Sequence, residues 1–227
     1  DNLAAQLEPG ITPPSNRLKL IDQLTKKGFM CGIYHMPIIP FLSDWPVCLQ
    51  DAYQKATDSN ALYLIGAGLT LKPGRQKEYF LESLRKISPE RETEYHIIYQ
   101  NNRWGMPDQS YSQSLNALIM EFAKKYRLPC RIPPWIYKGF LPFNDYLSVV
   151  VDHLDYFYRS LNYDSPFGKA AWSISQCENK IDLDVHMLDK IKWVGPRTKK
   201  IIKEFVATGT IKEYNRFFNR ELFNPIR

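Results

Sequence analysis

The stretch YHMPIIPFLSD, residues 34–44, decides how this chain is read. An apolar run stops between two prolines, Pro37 and Pro40, and is followed by Ser43 and Asp44, residue types that cap helices. The run itself, FMCGIYHMPII, is short and bounded by turn residues, which predicts a strand buried on both faces. Ser43 or Asp44 is expected to open a helix reaching Ala56. The segment ALYLIGAGLTL, residues 61–71, predicts a second buried strand, with Gly66 and Gly68 permitting close backbone approach. Ahead of the pair, Ser15 behind two prolines is expected to cap a helix with Leu18, Ile21 and Leu24 on one stripe and Gly28 as its stop. Behind it, PGRQKEYFLESLRKI predicts another helix. The order helix, strand, helix, strand, helix indicates βα units on a parallel sheet, because parallel neighbours need a crossover and a helix is the usual one.

In such sheets the loops after the carboxyl ends of the strands build the ligand site. A strand ending in Pro37-Ile38-Ile39-Pro40 puts rigid backbone there, and proline removes a donor, which leaves carbonyls to face a pocket. A stiff loop without a ligand fits the same residues. Two strands do not close a barrel, whose eight-stranded form takes about 250 residues. Either further strands precede these or the fold is unusual. The opening DNLAAQLEPG, a helix-like run straight into a turn, reads as the middle of a longer protein.

From Pro89 onward the pattern is helix and loop. ETEYHIIYQ is followed by SYSQSLNALIMEFAKKY, whose Tyr111, Leu115, Leu118, Ile119, Phe122 and Tyr126 share one face and are read as core. CRIPPWIYKGFLPFND is proline-broken and reads as a linker, and LSVVVDHLDYFYRSL as another amphipathic helix. The expected architecture is α/β and predominantly helical, in three parts: a βα region over 1–130, a helical linker region over 131–180 and a basic module over 181–227.

With 44% hydrophobic, 24% charged and 14% aromatic residues among 227, the composition is that of a globular chain. No apolar run approaches the roughly 18 residues of a membrane helix, and no leader pattern opens the chain, so a cytoplasmic protein without a membrane partner is expected. Cys31, Cys48, Cys130 and Cys177 are scattered and read as reduced thiols rather than a disulfide framework or a metal set; His35, His96, His153 and His186 are equally dispersed. The net charge of +6 is concentrated. Between Leu188 and Arg220 stand nine Lys or Arg against three acids, a difference equal to the excess of the whole chain. Such a field attracts polyanions, nucleic acid first, although a solvated helix face would carry the same charges.

LEPGITPPSNRLKLIDQLTKKGF, then MPIIPFLSD, then GAGLTLKPGRQKEYF resemble, in that order, the second half of radical S-adenosylmethionine enzymes of the spore photoproduct lyase-like group, over about residues 1–130. The resemblance implies the last two βα units of a partial (β/α)6 barrel. It implies a parent lyase or transferase, of the kind that repairs or modifies DNA, with a [4Fe–4S] cluster held by CxxxCxxC and S-adenosylmethionine chelated to it. It also implies that Pro37, Ile39 and Pro40 face the adenosine while Arg75 and Gln76 reach towards the substrate. Two departures matter. No CxxxCxxC exists here, so this chain is expected to bind neither cofactor stably, to be inactive alone and to need the missing amino-terminal half of the barrel. Phe41 stands where relatives commonly carry glycine, and its ring would narrow the mouth of the site.

LDKIKWVGPRTKKIIKEF resembles a helix-hairpin-helix, a motif that presents turn amides to phosphate at a helix amino terminus. The resemblance assigns Lys192, Gly195, Arg197, Thr198 and Lys199 to nucleic-acid binding. Trp193 replaces the first hairpin glycine and Lys199 a small packing residue. The motif also serves protein contacts, so a non-catalytic nucleic-acid or protein-binding module is the alternative to an enzyme fragment.

Overall fold

A computed structural model describes residues 1–100, 103–181 and 185–218. It divides into two compact units, Asp1–Cys130 and Arg131–Arg227. Arg220 of the basic segment lies outside the described residues.

The first unit runs α1 (Asn2–Leu7), α2 (Pro14–Lys26), β1 (Ile33–Ile38), α3 (Pro46–Asp58), β2 (Leu64–Gly68), α4 (Arg75–Ile87), a 3-10 turn (Pro89–Arg91), α5 (Glu92–Ile98) and α6 (Gln109–Lys125). Helix α2 starts one residue before the expected cap: Pro14 takes the first helical position, where its fixed φ suits the helix and its missing N–H costs nothing. Gly28, at φ 88°, ends it in the left-handed region.

Strands β1 and β2 pair in parallel, with Ile33 opposite Leu64, Tyr34 opposite Ile65 and His35 opposite Gly66. Helix α3 makes the crossover, and α6 packs on the sheet. The Tyr53 hydroxyl of α3 donates to the Ile119 carbonyl at 3.2 Å. A Cβ on Gly66 would come within 3.1 Å of Ile119 Cδ1, so glycine lets α6 approach this closely.

The expected burial of the first strand on both faces is not what forms. Only Ile38 is fully buried, while Tyr34 and Met36 are 58% and 44% exposed. The physical reason is positional: among the described residues β1 has one neighbour, β2, and its other edge borders open space. Helix α2 correspondingly buries none of its residues completely.

The second unit is helical: α7 (Pro134–Tyr137), α8 (Phe143–Ser160), α9 (Phe167–Ser175), α10 (Val185–Lys190), α11 (Pro196–Thr208) and α12 (Lys212–Arg216). Its core collects Leu147, Val151, Leu154, Phe157, Phe167 and Ile202, all fully shielded from solvent. The proline-broken 130–145 stretch expected to be a linker contributes α7 and the first turn of α8. Asn144, in the first turn of α8, holds the loop after α9: its side-chain amide donates to the Cys177 and Asn179 carbonyls at 2.8 and 2.9 Å and accepts from the Ile181 N–H at 2.9 Å. In the same core the His153 ring meets the Tyr214 hydroxyl at 2.7 Å.

Candidate functional site

At the carboxyl end of β1 the proline clamp forms, with a cis Met36–Pro37 peptide. Three of its carbonyls, those of Ile38, Ile39 and Pro40, are taken up by the protein itself. Leu69 N–H donates to Ile38 O at 3.1 Å, the amides of Leu42 and Ser43 donate to Ile39 O, and the Tyr95 hydroxyl donates to Pro40 O at 2.5 Å. After β2, the Tyr99 hydroxyl takes the Leu69 carbonyl at 2.7 Å. Buried carbonyls must find donors; here neighbouring backbone amides supply those of Ile38 and Ile39, and tyrosines in and just after α5 those of Pro40 and Leu69.

The polar residues expected to open α3 are used in the same knot. Ser43 Oγ accepts from Ile39 N–H at 2.7 Å, and Asp44 accepts the Tyr111 hydroxyl at 3.0 Å, so α3 begins at Pro46 instead. Burial pushes the Asp44 carboxyl above its usual range, opposed by that hydroxyl. Phe41 holds φ 59°, the left-handed region where a glycine would be unstrained. Its ring packs at 5.7 Å from Tyr95 and joins the cluster of Leu71, Leu81, Leu84 and Tyr99. It therefore serves as a packing residue beneath the knot.

A cleft of about 1010 Å³ runs along the free edge of β1, walled by α1, α2, α3 and α4. Pro37 and Ile39 line it; Pro40 is buried and does not. Arg75 and Gln76 stand exposed on the first turn of α4, four residues ahead of the lining residues Tyr79 and Phe80. One polar group in the wall is orphaned: His35 Nδ1 is buried without a hydrogen-bond partner, and burial lowers the affinity of this ring for a proton. Strand alternation puts His35 on the side of Ile33, a signal in the sequence that dispersed-histidine counting overlooks.

The second candidate is the turn between α10 and α11. Val194 and Thr198 are buried, the latter completely, and the Thr198 hydroxyl has no hydrogen-bond partner. Arg197 donates to Glu213 at 2.8 Å and lies over Tyr158 and Phe167 at 4.5 and 5.1 Å from their centroids. Lys199 is paired with Asp189. Three of the five residues assigned to nucleic acid thus serve the fold of the module, whereas Lys192 and Gly195 are exposed. Gly195 is extended, at φ −80° and ψ 179°, and a Cβ there would meet nothing within 4 Å. The fold does not demand glycine at this point, and the space above it is open. The ring of Trp193, at φ 65° and 51% exposed, projects beside it with the ammonium groups of Lys169 and Lys192 at 4.6 and 5.3 Å from its centroid. Lys169 comes from α9, 24 residues before Trp193 and outside the motif, which is why no motif reading finds it.

The chain is similar to proteins that carry no assigned function. Uncharacterized proteins of Mycobacterium tuberculosis and Mycobacterium bovis are 27% identical to it over 126 residues, which is 56% of this chain and 36% of each relative. The chain thus spans about a third of the length of the curated relatives it matches. No family model and no solved structure matches it.

Among the described residues no three His, Cys, Asp or Glu side chains gather as a metal set. Cys130 is buried with its Sγ 3.5 Å from Met120 Sδ, and Cys177 Sγ lies 3.4 Å from the Ser173 carbonyl. The donor set does not fit an iron–sulfur cluster, which requires converging thiolates. Among the described residues no helix is long and apolar enough to cross a membrane.

Proposed function

We propose that this chain is the carboxyl-terminal portion of a cytoplasmic radical S-adenosylmethionine protein that repairs or modifies nucleic acid. In this reading the first unit supplies the last two βα units of a partial (β/α)6 barrel, and the second holds the nucleic-acid substrate. One observation carries it: among the described residues β1 is paired in parallel with β2 alone, and its residues line an apolar cleft of about 1010 Å³ flanked by a helix that buries nothing fully. A parallel strand and its helix normally lie within a continuous sheet covered on both faces, so this is the shape left where preceding strands dock.

The cluster and its bound S-adenosylmethionine would supply a 5′-deoxyadenosyl radical from the other half of the barrel. This chain's four cysteines do not fit that role, and no radical step is assigned to its residues. Its own contribution is a wall, with Pro37 and Ile39 facing the adenosine end of the cleft, and a basic hairpin whose Gly195 leaves room for a phosphate. Contacts of that type are independent of sequence and weaken steeply with salt.

The whole gene product, purified without oxygen, should cleave S-adenosylmethionine to 5′-deoxyadenosine. A coding region lacking CxxxCxxC upstream of Asp1, or a whole protein that releases no 5′-deoxyadenosine, removes the proposal. This chain by itself should give no calorimetric signal with S-adenosylmethionine; tight binding would mean the site has been put in the wrong place. The second reading, a non-catalytic nucleic-acid or protein-binding module, is favoured by the knot itself, since the carbonyls of Ile39, Pro40 and Leu69 are all engaged by the protein.

A further inference from the structure

We propose that Trp193, with Lys169 and Lys192, is a stacking platform for an unpaired nucleobase, so that the preferred ligand of the hairpin is single-stranded nucleic acid. The inference rests on the nucleic-acid reading of the second unit and narrows its substrate.

Three independent observations meet at this residue. The backbone at Trp193 has φ 65°, a conformation that a bulky L-residue adopts at a cost and that glycine adopts freely. The side chain recovers only part of that cost by burial, because it is 51% exposed. Finally, Lys169 and Lys192, from two different elements, bring their Nζ atoms to 4.6 and 5.3 Å from the ring centroid. A strained backbone bearing a half-exposed indole is less well explained by packing than a ring set into a hydrophobic cluster, as Phe41 is. A half-exposed aromatic ring with two ammonium groups over it has a binding rationale: a base stacks on such a face in their place, and the displaced lysines meet the flanking phosphates.

The surroundings extend the surface. Trp172, 63% exposed, stands one helical turn beyond Lys169 on α9 and provides a second exposed indole on this side of the unit. Gly195, two residues from Trp193, leaves open space above the turn. A duplex offers phosphates to this turn but keeps its base faces stacked internally, so only unpaired bases use the indole. An acidic polypeptide would use the lysines and leave the indole unused.

The test is fluorescence anisotropy of a labelled oligothymidylate and of a random duplex of the same length, with this chain across a salt series. The wild-type chain should bind the single strand more tightly and quench its tryptophan emission. Trp193→Gly is the informative variant, because glycine suits this backbone: the thermal transition should be retained while single-strand affinity falls roughly tenfold or more. Trp193→Phe should recover part of that loss, and Lys169→Ala with Lys192→Ala should flatten the salt dependence. Single-strand binding unchanged in Trp193→Gly overturns the platform but leaves the nucleic-acid reading standing. Equal competition by polyglutamate, or no binding of either probe at low salt, overturns both.

Discussion

The hydroxyl of Tyr95 donates to the carbonyl of Pro40 at 2.5 Å, joining the middle of α5 to the loop that ends β1 across 55 residues of sequence. Both partners are buried. Tyr95→Phe keeps the ring stack with Tyr99 and strands the carbonyl, and an unpaired buried acceptor costs about 1–3 kcal/mol. Urea unfolding should show that loss with an unchanged denaturant slope.

Phe41 and Trp193 share a backbone conformation, with φ 59° and 65°, but only the Phe41 ring packs against a hydrophobic cluster. Replacing each by glycine relieves the same strain and removes very different contacts. Phe41→Gly should destabilise by about 1–3 kcal/mol, since the lost packing on Tyr95 and Leu71 outweighs the relief. Trp193→Gly should stay within about 0.5 kcal/mol of the wild type. Equal effects in paired melting curves would refute the contrast.

His153 is fully buried on α8, and burial, assisted by the Arg131 charge, lowers its pKa to about 3 from 6.5. The unfolded chain therefore binds a proton in this interval that the folded chain refuses. Its contribution to stability is fully present above pH 6.5 and is lost as pH falls towards about 3, at up to about 1.4 kcal/mol per pH unit. Asp152, whose carboxyl burial raises above 3.8, acts in the opposite sense because the folded state holds that proton more tightly. Stability measured against pH should accordingly fall on the acid side, and His153→Gln should lower the plateau while flattening that limb. A variant with the wild-type slope would assign the acid loss elsewhere.

Asn144 satisfies three backbone groups of the loop following α9. Asn144→Ala leaves them to water or to nothing, and should cost about 1–3 kcal/mol. Amide exchange at Ile181, whose N–H is donated to Asn144, should accelerate by more than exchange in the centre of α8.

What was legible follows from range. The two short apolar runs, the glycine stop at Gly28 and the helix between the runs are local signals, and they produced two parallel strands with α3 across them. The burial of β1 is not legible because a continuous apolar run implies covering layers on both faces, whereas among the described residues β1 pairs only with β2 and α2 buries none of its residues fully. The knot above the clamp was illegible for a different reason. Ser43 and Asp44 look like caps, yet their partners are Ile39, four residues away, and Tyr111, 67 residues on. Side chains that cap helices also satisfy loops, and only tertiary structure decides between the uses. At the hairpin, Arg197 reads as a phosphate ligand until Glu213 and Tyr158 are seen to hold it. Trp193 stands in the sequence as a departure from the motif, but its lysine neighbour from α9 appears only in three dimensions.

The far side of β1 has a practical consequence. Among the described residues no strand pairs there, and Tyr34 and Met36 are exposed, so it is a template on which a second molecule can add a strand, and this chain produced in isolation should associate as its concentration rises and seed fibrous precipitate on storage. A lysine at Tyr34 would blunt that side, the device natural sheets use to stay dispersed, without touching the inward-facing Ile38.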